Sequence, residues 1–257
     1  MITAKNVEVK PASTVALSSI SILLKESFSL YKIYIYKLLA MQLIPFLGAV
    51  FMSAAVALIV FFSSKSNVVI FIISIIIFLI MIVATIILGL MAQLGQFLIL
   101  KYSDPTKDVV SLLKESWPLV GKFFLLNVLF FLIVFFGVIV LIIPGVYLAV
   151  IYSFANWVFV FEKKFSMAAL KRSKELVKNY WWGVFWRGLA ISLIFIAVVL
   201  VFSIPLNFTE EGSLFYVIWT FVARIFQFII TPIMTIYTYL IYQELVKIKG
   251  VNQIVQE

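Results

Sequence analysis

The run Phe123–Phe161, FFLLNVLFFLIVFFGVIVLIIPGVYLAVIYSFANWVFVF, contains no charged residue and decides the fold of the chain. A helix that crosses the hydrocarbon of a bilayer needs only about 20 predominantly apolar residues. The run is therefore either one very long helix or two shorter helices joined by a tight turn. Pro144–Gly145 lies near its middle and predicts a turn at that point, because proline and glycine interrupt helices.

The composition requires a bilayer as the solvent. Hydrophobic residues make up 65% of the 257 residues and charged residues 12%, and the mean hydropathy is +1.19. An ordinary globular protein is about 25% charged. The other long apolar stretches are 38–64, 66–100, 188–209 and 212–243, the last one interrupted only by Arg224. We therefore predict an all-α polytopic protein with one integral membrane domain, residues 1–257.

The distribution of charge favours two helices in the run Phe123–Phe161. The formal net charge is +9, and basic residues lie mainly in short segments between apolar runs. Six transmembrane helices place all but Lys65 and Arg224 of the 20 Lys and Arg residues on one side, as the positive-inside rule expects. Five helices would place the basic loop 163–178 on the opposite side. We expect six helices, cytoplasmic termini and no nucleic-acid partner.

A short polar phrase occurs three times. LLKES stands at Leu23–Ser27 and Leu112–Ser116, and a looser copy, ALKRS, stands at Ala169–Ser173. Two predicted spans follow each copy. The chain is thus predicted to contain three repeated hairpins, each preceded by a cytoplasmic amphipathic helix. The predicted repeat units are about 20–100, 109–162 and 166–243.

The third amphipathic segment carries the predicted contacts with lipid headgroups. At about 100° per residue, its leucines share one face and its charged residues lie outside that face. Such a helix lies in the membrane interface, where tryptophans are also enriched. The predicted headgroup contacts are Lys171, Arg172, Lys174, Lys178, Trp181 and Trp182. The alternative interpretation is a lysine-rich connector that only sets the topology.

Residues 143–192 resemble a known family. The stretch contains IPGVYL, then SFA, then the acidic Glu162, then ALKRSKELV and WWGVF. In this combination it resembles the membrane domain of some glycerophosphodiester phosphodiesterases and the related YciC-like bacterial inner-membrane proteins. In fused members a soluble catalytic barrel follows the membrane domain. With few residues after its last predicted span and no histidine, this chain is expected to be a stand-alone membrane domain.

The residue types that serve most catalysis are missing from the predicted spans. The chain has no Cys and no His, and no Asp or Glu falls within a predicted span. This excludes thiol and imidazole chemistry, Cys/His metal sites and carboxylate pairs within the bilayer. No phosphate-binding glycine motif is present. We therefore expect a non-enzymatic protein with no catalytic residues, no cofactor and no metal.

Arg224 is the main candidate for a binding residue inside the bilayer. An arginine at the centre of a span costs about 2.5–3.5 kcal/mol on insertion scales, so it normally faces a partner or water. Gln227 lies one turn away, and both residues are candidates for contact with a lipid or another anion. Further uncharged candidate partners are Gln42, Gln93, Gln96, Asn127 and Asn156. In the alternative interpretation Arg224 reaches the outer interface and meets Glu210 or Glu211.

These observations lead to one main functional hypothesis and two alternatives. The main hypothesis is a bacterial inner-membrane protein that organises the membrane or handles a lipid or amphipathic anion. The first alternative is a subunit of a transporter or channel. The second is a membrane partner of a separate soluble phosphodiesterase or ATPase, docked on the basic cytoplasmic face. Membrane lipids with anionic headgroups are the expected small-molecule partners.

Overall fold

The computed structural model describes residues 16–63, 68–104, 106–210 and 212–254. Nearly all of these residues are helical, and none of them forms a strand. The helices are α1 (Ile20–Ser63), α2 (Val68–Tyr102), α3 (Val109–Ser116), α4 (Val120–Val140), α5 (Ile142–Tyr152), α6 (Ala155–Phe161), α7 (Met167–Val177), α8 (Trp181–Ser203) and α9 (Leu214–Ile254). Two 3₁₀ turns, Trp117–Leu119 and Ile204–Phe208, connect α3 to α4 and extend α8.

Six helical stretches within the described residues are long and apolar enough to cross a membrane. They are Ile20–Phe61, Val68–Tyr102, Val109–Val140, Ile142–Phe161, Trp181–Phe208 and Leu214–Gly250. The predicted all-α polytopic fold is confirmed. Lys65, the one basic loop residue predicted on the outer side, lies outside the described residues.

The turn within the run Phe123–Phe161 lies at Leu141. Its predicted position at Pro144–Gly145 is therefore wrong by three residues. Leu141 has an extended backbone, with φ −163° and ψ 148°, between the end of α4 and the start of α5. Pro144 is the third residue of α5, where a backbone N–H has no acceptor within the helix. Proline therefore costs little there, and it marks the beginning of α5 instead of the turn.

Two glycines allow α4 and α5 to approach each other directly after this turn. A Cβ atom on Gly145 would lie 2.2 Å from Cγ2 of Val138 and 2.8 Å from its backbone nitrogen. A Cβ atom on Gly137 would lie 3.1 Å from the Cα of Gly145. Helices in membranes pack closely through such small residues. The space at Gly145 thus permits a hairpin with a single residue outside its two helices.

The three copies of the repeated phrase occupy different kinds of helix. The first copy lies within α1, which continues without a break into its membrane span. The second ends α3 and passes through a 3₁₀ turn that contains Pro118 into α4. The third lies within α7, a short helix that ends four residues before α8 begins. The serines of all three, Ser27, Ser116 and Ser173, are fully buried.

Ser173 explains the break between α5 and α6. Its hydroxyl donates a hydrogen bond to the carbonyl oxygen of Ile151 at 2.8 Å and accepts one from the backbone N–H of Phe154 at 3.2 Å. The serine of α7 thus bonds backbone groups on either side of the break. The sequence of α5 and α6 contains no proline at this point, so the break depends on a contact with α7.

An aromatic cluster forms much of the buried core and joins four helices. The ring of Trp157 on α6 lies 4.2 Å from that of Phe97 on α2 and 5.3 Å from that of Tyr239 on α9, centroid to centroid. Phe123 on α4 extends the cluster, with its ring 5.3 Å from Phe159. Aromatic pairs in such arrangements add about 0.5–1.5 kcal/mol each beyond burial of their area.

The long helices α1 and α9 run in opposite directions beside each other. The hydroxyl of Tyr31 on α1 donates to the carbonyl oxygen of Ile229 on α9 at 2.6 Å, and the rings of Phe46 and Phe228 lie 5.6 Å apart. Further from the aromatic cluster, α1, α2, α8 and α9 expose Val, Ile, Leu and Phe side chains. Exposed apolar surface of this extent is the lipid-facing surface of a membrane protein.

Candidate functional site

Arg224 lies deep along α9. It stands three turns beyond Ser213, the residue before the helix, which is about 16 Å at the helical rise of 1.5 Å per residue. The hydrocarbon core of a bilayer is about 30 Å thick, so this distance is close to half of it. Arg224 is exposed at the surface of the protein. A charged side chain at such a position requires a polar partner or water.

A cavity of about 320 Å³ lies between α8 and α9 beside Arg224. The polar residues of its lining are Ser203, Tyr216, Thr220, Arg224 and Gln227. The rest of the lining is apolar and consists of Phe195, Val198, Val199, Phe202, Leu206, Ala223, Phe226 and Ile230. The cavity therefore combines one cation and several hydrogen-bonding groups with an apolar wall.

Aromatic contacts hold the two helices around this cavity. The indole N–H of Trp219 on α9 donates to the carbonyl oxygen of Phe202 on α8 at 2.8 Å. The ring of Phe202 also stacks on that of Phe226, with centroids 4.1 Å apart. These contacts fix α8 against α9 at the level of Arg224, since Phe226 follows it by two residues.

A second depression, of about 300 Å³, lies on the other side of Arg224, between α1 and α9. Gln42 and Pro45 of α1 border it, together with Thr231 of α9. Arg224 and Gln227 line both this depression and the first cavity. The two predicted residues thus share one site, at the boundary between two cavities.

Most of the predicted amide partners of Arg224 bind each other. Within the described part of the chain, no group forms a hydrogen bond or ion pair with Arg224. The side-chain amide of Gln96 donates to that of Gln42 at 2.7 Å, and Asn156 donates to Asn127 at 3.2 Å. These two amide pairs join α1 to α2 and α4 to α6. Gln227 lines both cavities beside Arg224, and Gln42 lines one of them.

The alternative partners of Arg224 at the outer interface were Glu210 and Glu211. Among the described residues Glu210 forms no ion pair with Arg224, and Glu211 lies outside the described residues. One further polar atom is free in the cavity: the hydroxyl oxygen of Thr220 is buried and has no hydrogen-bond partner among the described residues. Thr220 lies one helical turn before Arg224 on α9, and sequence patterns did not indicate it.

Four of the six predicted headgroup residues meet at one place. Lys171, Lys174, Lys178 and Trp181 line a single cavity of about 560 Å³ against α5, beside Tyr147. Trp182 lies next to this cavity, with its ring perpendicular to that of Trp181 at 4.7 Å, and it is exposed. The lysines converge because positions 171, 174 and 178 share one face of a helix.

Arg172 points away from that cavity and binds a carboxylate. Its Nε donates to both oxygens of Glu162, at 3.0 and 3.2 Å. Tyr242 of α9 donates to the same carboxylate at 3.4 Å, and Lys164 pairs with it at 3.0 Å. Arg172 therefore connects α7 to the end of α6 and to α9, and its side chain is mostly buried.

Arg187 forms long-range hydrogen bonds that the sequence did not predict. Its guanidinium donates to the carbonyl oxygens of Leu17 and Ser18 at 2.6–2.9 Å. The backbone N–H of Ser18 in turn donates to the carboxylate of Glu244 on α9 at 3.1 Å. Arg187 thus holds the segment before α1 between α8 and α9. An arginine near a tryptophan cluster predicts only a position at the membrane interface. Nothing in the sequence around Arg187 indicates its bonds to Leu17 and Ser18.

Comparisons of the chain with protein-family models, with curated proteins and with solved structures gave no match. Among the described residues, no group of three or more Asp and Glu side chains is placed to hold a metal ion. The site around Arg224 offers a fixed positive charge, neutral hydrogen-bond donors and an apolar wall. Chemically, that arrangement suits the binding of an anion that carries an apolar tail.

Proposed function

We propose that this integral membrane protein binds the anionic group of an amphipathic molecule, such as a lipid phosphate or carboxylate, between α8 and α9. The observation that carries the proposal is the position of Arg224, which lines the cavity with Gln227 and has no partner among the described residues. The role is lipid or amphipathic-anion handling without catalysis.

The hydrogen-bonding groups of the cavity support an anionic ligand. A guanidinium offers five N–H donors in a fork that matches two oxygens of a phosphate or carboxylate. Gln227 adds an amide, and the hydroxyl of Thr220 is a buried group without a partner in the described part of the chain. A buried polar atom without a partner costs about 1–3 kcal/mol, which a ligand oxygen would recover.

The apolar wall supports a ligand with a tail. Phe195, Val199 and Phe202 of α8 face Phe226 and Ile230 of α9 across the same cavity. A small inorganic anion would leave this wall exposed, whereas an acyl chain would cover it. The hydrophobic gain of about 25 cal/mol per Å² favours the amphipathic ligand.

The sharing of Arg224 and Gln227 by two cavities supports transport as a second candidate function. The cavity between α8 and α9, where the anion would bind, adjoins the depression beside Gln42 and Pro45. Movement between the two would keep the anion in contact with the same arginine. Uptake of a lipid phosphate into protein-containing vesicles, compared with empty ones, tests this candidate.

For the setting of this site we propose a bacterial inner membrane with both termini in the cytoplasm. The support is the concentration of Lys and Arg on one side of the six predicted spans. The same basic face is the proposed docking surface for a soluble protein partner. Protease protection of each terminus in oriented membrane vesicles tests the topology, since opposite protection of the two ends contradicts an even number of spans.

Native mass spectrometry of the protein extracted with its lipids tests the main proposal. We expect Arg224→Ala to lose most of the retained anionic lipid, by about tenfold if one charge-assisted contact is removed. Arg224→Lys should retain part of it, because the charge remains and the fork is lost. Lys25→Ala, at an exposed position of α1, is the matched control. Equal lipid retention by Arg224→Ala and the wild type refutes the role of Arg224.

A further inference from the structure

We propose that the junction of α5, α7 and α8 is a second lipid site, separate from Arg224, that binds an anionic phospholipid. The site has two adjoining compartments. A basic compartment holds the phosphate, and an apolar compartment holds part of an acyl chain. Tyr147 and Trp181 belong to both compartments and form the boundary between them.

The basic compartment has a net positive charge. Lys171, Lys174 and Lys178 line this cavity of about 560 Å³. Among the described residues no carboxylate lies within 4.0 Å of their ammonium groups. Glu175 is the one acid in the lining, and its carboxylate lies 3.6 Å from the guanidinium of Arg172. Three unpaired lysines on one helix face thus provide a site for a phosphate.

The apolar compartment adjoins the basic one on the side of the α4–α5 hairpin. It measures about 470 Å³, and Ile142, Ile143 and Val146 line it together with Trp182 and Phe185 of α8. Ile142 and Ile143 are 73% and 82% exposed, so the compartment opens onto the lipid-facing tip of the hairpin. An acyl chain is the ligand part that fits this surface.

The boundary between the compartments is rigid and aromatic. The indole N–H of Trp181 donates to the carbonyl oxygen of Tyr147 at 3.3 Å, and the two rings lie 5.6 Å apart. The ring of Phe185 stacks on Trp181 at 5.1 Å with an interplanar angle of 8°. Tryptophan and tyrosine prefer the level between headgroups and acyl chains. Their position here matches the position of the glycerol region of a phospholipid.

The neighbouring apolar surface favours a phospholipid over a soluble acidic protein. A protein that docked on the three lysines would lie beside the exposed apolar tip at Ile142–Ile143, a surface that is suited to lipid. Lysines bind phosphate as flexible point charges and not through a fixed fork. We therefore expect selection by charge, with phosphatidylglycerol bound better than phosphatidylcholine.

Photo-crosslinking in phosphatidylcholine nanodiscs tests the basic compartment, with a photoactivatable phosphatidylglycerol as the probe. The test variant is the triple substitution Lys171→Gln, Lys174→Gln and Lys178→Gln in the full chain. We expect at least a fivefold loss of crosslinking at the junction. Glycerol phosphate in millimolar excess should not displace the probe, because it lacks the chain; displacement would identify a free-phosphate site instead.

The matched control removes the same charge elsewhere. Lys25, Lys32 and Lys114 are exposed and lie outside the junction, and their triple substitution by Gln should leave crosslinking unchanged. An equal loss in this control would overturn the proposal, because the probe would then respond only to total charge. Thermal unfolding of both triple variants verifies that each one is folded before it is compared.

The apolar compartment has its own test. Val146→Phe fills it without a change of charge and should lower crosslinking at least threefold, whereas Val110→Phe on α3 should have no effect. Full crosslinking in Val146→Phe, together with polyglutamate binding that requires the three lysines, would overturn the lipid site in favour of a protein-docking surface. Arg224→Ala should retain crosslinking at the junction, so failure of one site is separable from failure of the other.

Discussion

The guanidinium of Arg172 on α7 donates to both oxygens of Glu162, the residue that follows α6. Each of these side chains is 19% exposed. Tyr242 of α9 donates to the same carboxylate, so three helices meet at one acid. Glu162 also pairs with Lys164, whose side chain is 44% exposed. One carboxylate thus has two cationic partners in different environments.

The first prediction compares these two partners. Arg172→Ala should lower the free energy of unfolding by about 1–3 kcal/mol, because it leaves a largely buried carboxylate without its main donor. Lys164→Ala should lower it by less than about 0.5 kcal/mol, because exposed pairs are screened by water. Thermal unfolding in detergent, monitored by tryptophan fluorescence, measures both. Equal effects would contradict the structural role of Arg172.

The second prediction concerns the buried serines of the repeated phrase. Ser173→Ala should cost about 1–3 kcal/mol, because the carbonyl group of Ile151 and the N–H of Phe154 both lose their partner. Ser27 and Ser116 bond only to a carbonyl four residues earlier in their own helix. Their replacement by Ala should change stability by less than about 0.5 kcal/mol, since that carbonyl keeps its helical bond.

The same unfolding measurement ranks the three serine variants. A loss in Ser27→Ala or Ser116→Ala as large as that in Ser173→Ala would show that the shared serine has a common role. The expected ranking instead assigns a specific function to one copy only, which is to hold the break between α5 and α6.

The third prediction concerns the close contact in the α4–α5 hairpin. Gly145→Ala should destabilise the protein by about 1–3 kcal/mol, because the new methyl group meets the backbone of Val138, which has little freedom to move. Gly188→Ala on α8 is the control, since no atom outside its own helix backbone lies within 4 Å of the added Cβ. We expect the control to be neutral or slightly stabilising. A neutral Gly145→Ala would contradict the packing of the hairpin.

The fourth prediction concerns the amide pair between α1 and α2. Gln96→Leu should lower the free energy of unfolding by about 0.6 kcal/mol, the average for a hydrogen bond between membrane helices. Gln42→Leu should have a similar effect, and the double variant should cost less than the sum of the two, because both remove the same 2.7 Å bond. Strict additivity would indicate that the two amides do not bind each other.

Hydropathy and charge predicted the fold class because both act over many residues at once. Charge balance predicts two helices in the run Phe123–Phe161, and the structure has a turn within it at Leu141. The predicted position of the turn at Pro144–Gly145 is wrong because proline is compatible both with a turn and with the first residues of a helix. The exact residue at which the chain turns depends on whether the proline falls before the helix or in its first turn. Composition does not distinguish these two positions.

The site residues were predictable where helix spacing decides and unpredictable where packing decides. Lys171, Lys174 and Lys178 converge because their spacing places them on one face. Arg172, the residue after Lys171, binds Glu162 and does not line the cavity of the three lysines. The bonds of Ser173 and Arg187 join segments far apart in the chain, and no local pattern indicates them. For the same reason the free hydroxyl of Thr220 appeared only in the structure.

The tip of the α4–α5 hairpin has a consequence for the shape of the protein. Ile142 and Ile143 lie beside Phe185, in the second turn of α8, yet α8 continues from Trp186 to Ser203 for about 27 Å. The far end of the described bundle therefore consists of α1, α2, α8 and α9, whereas the near end also contains α3 to α7. A body that is wide at one end and narrow at the other displaces more lipid from one leaflet than from the other. We expect the protein to favour a curved bilayer. After reconstitution, the density of the protein in small vesicles relative to large ones measures this preference. Equal density at all vesicle radii would refute the expectation.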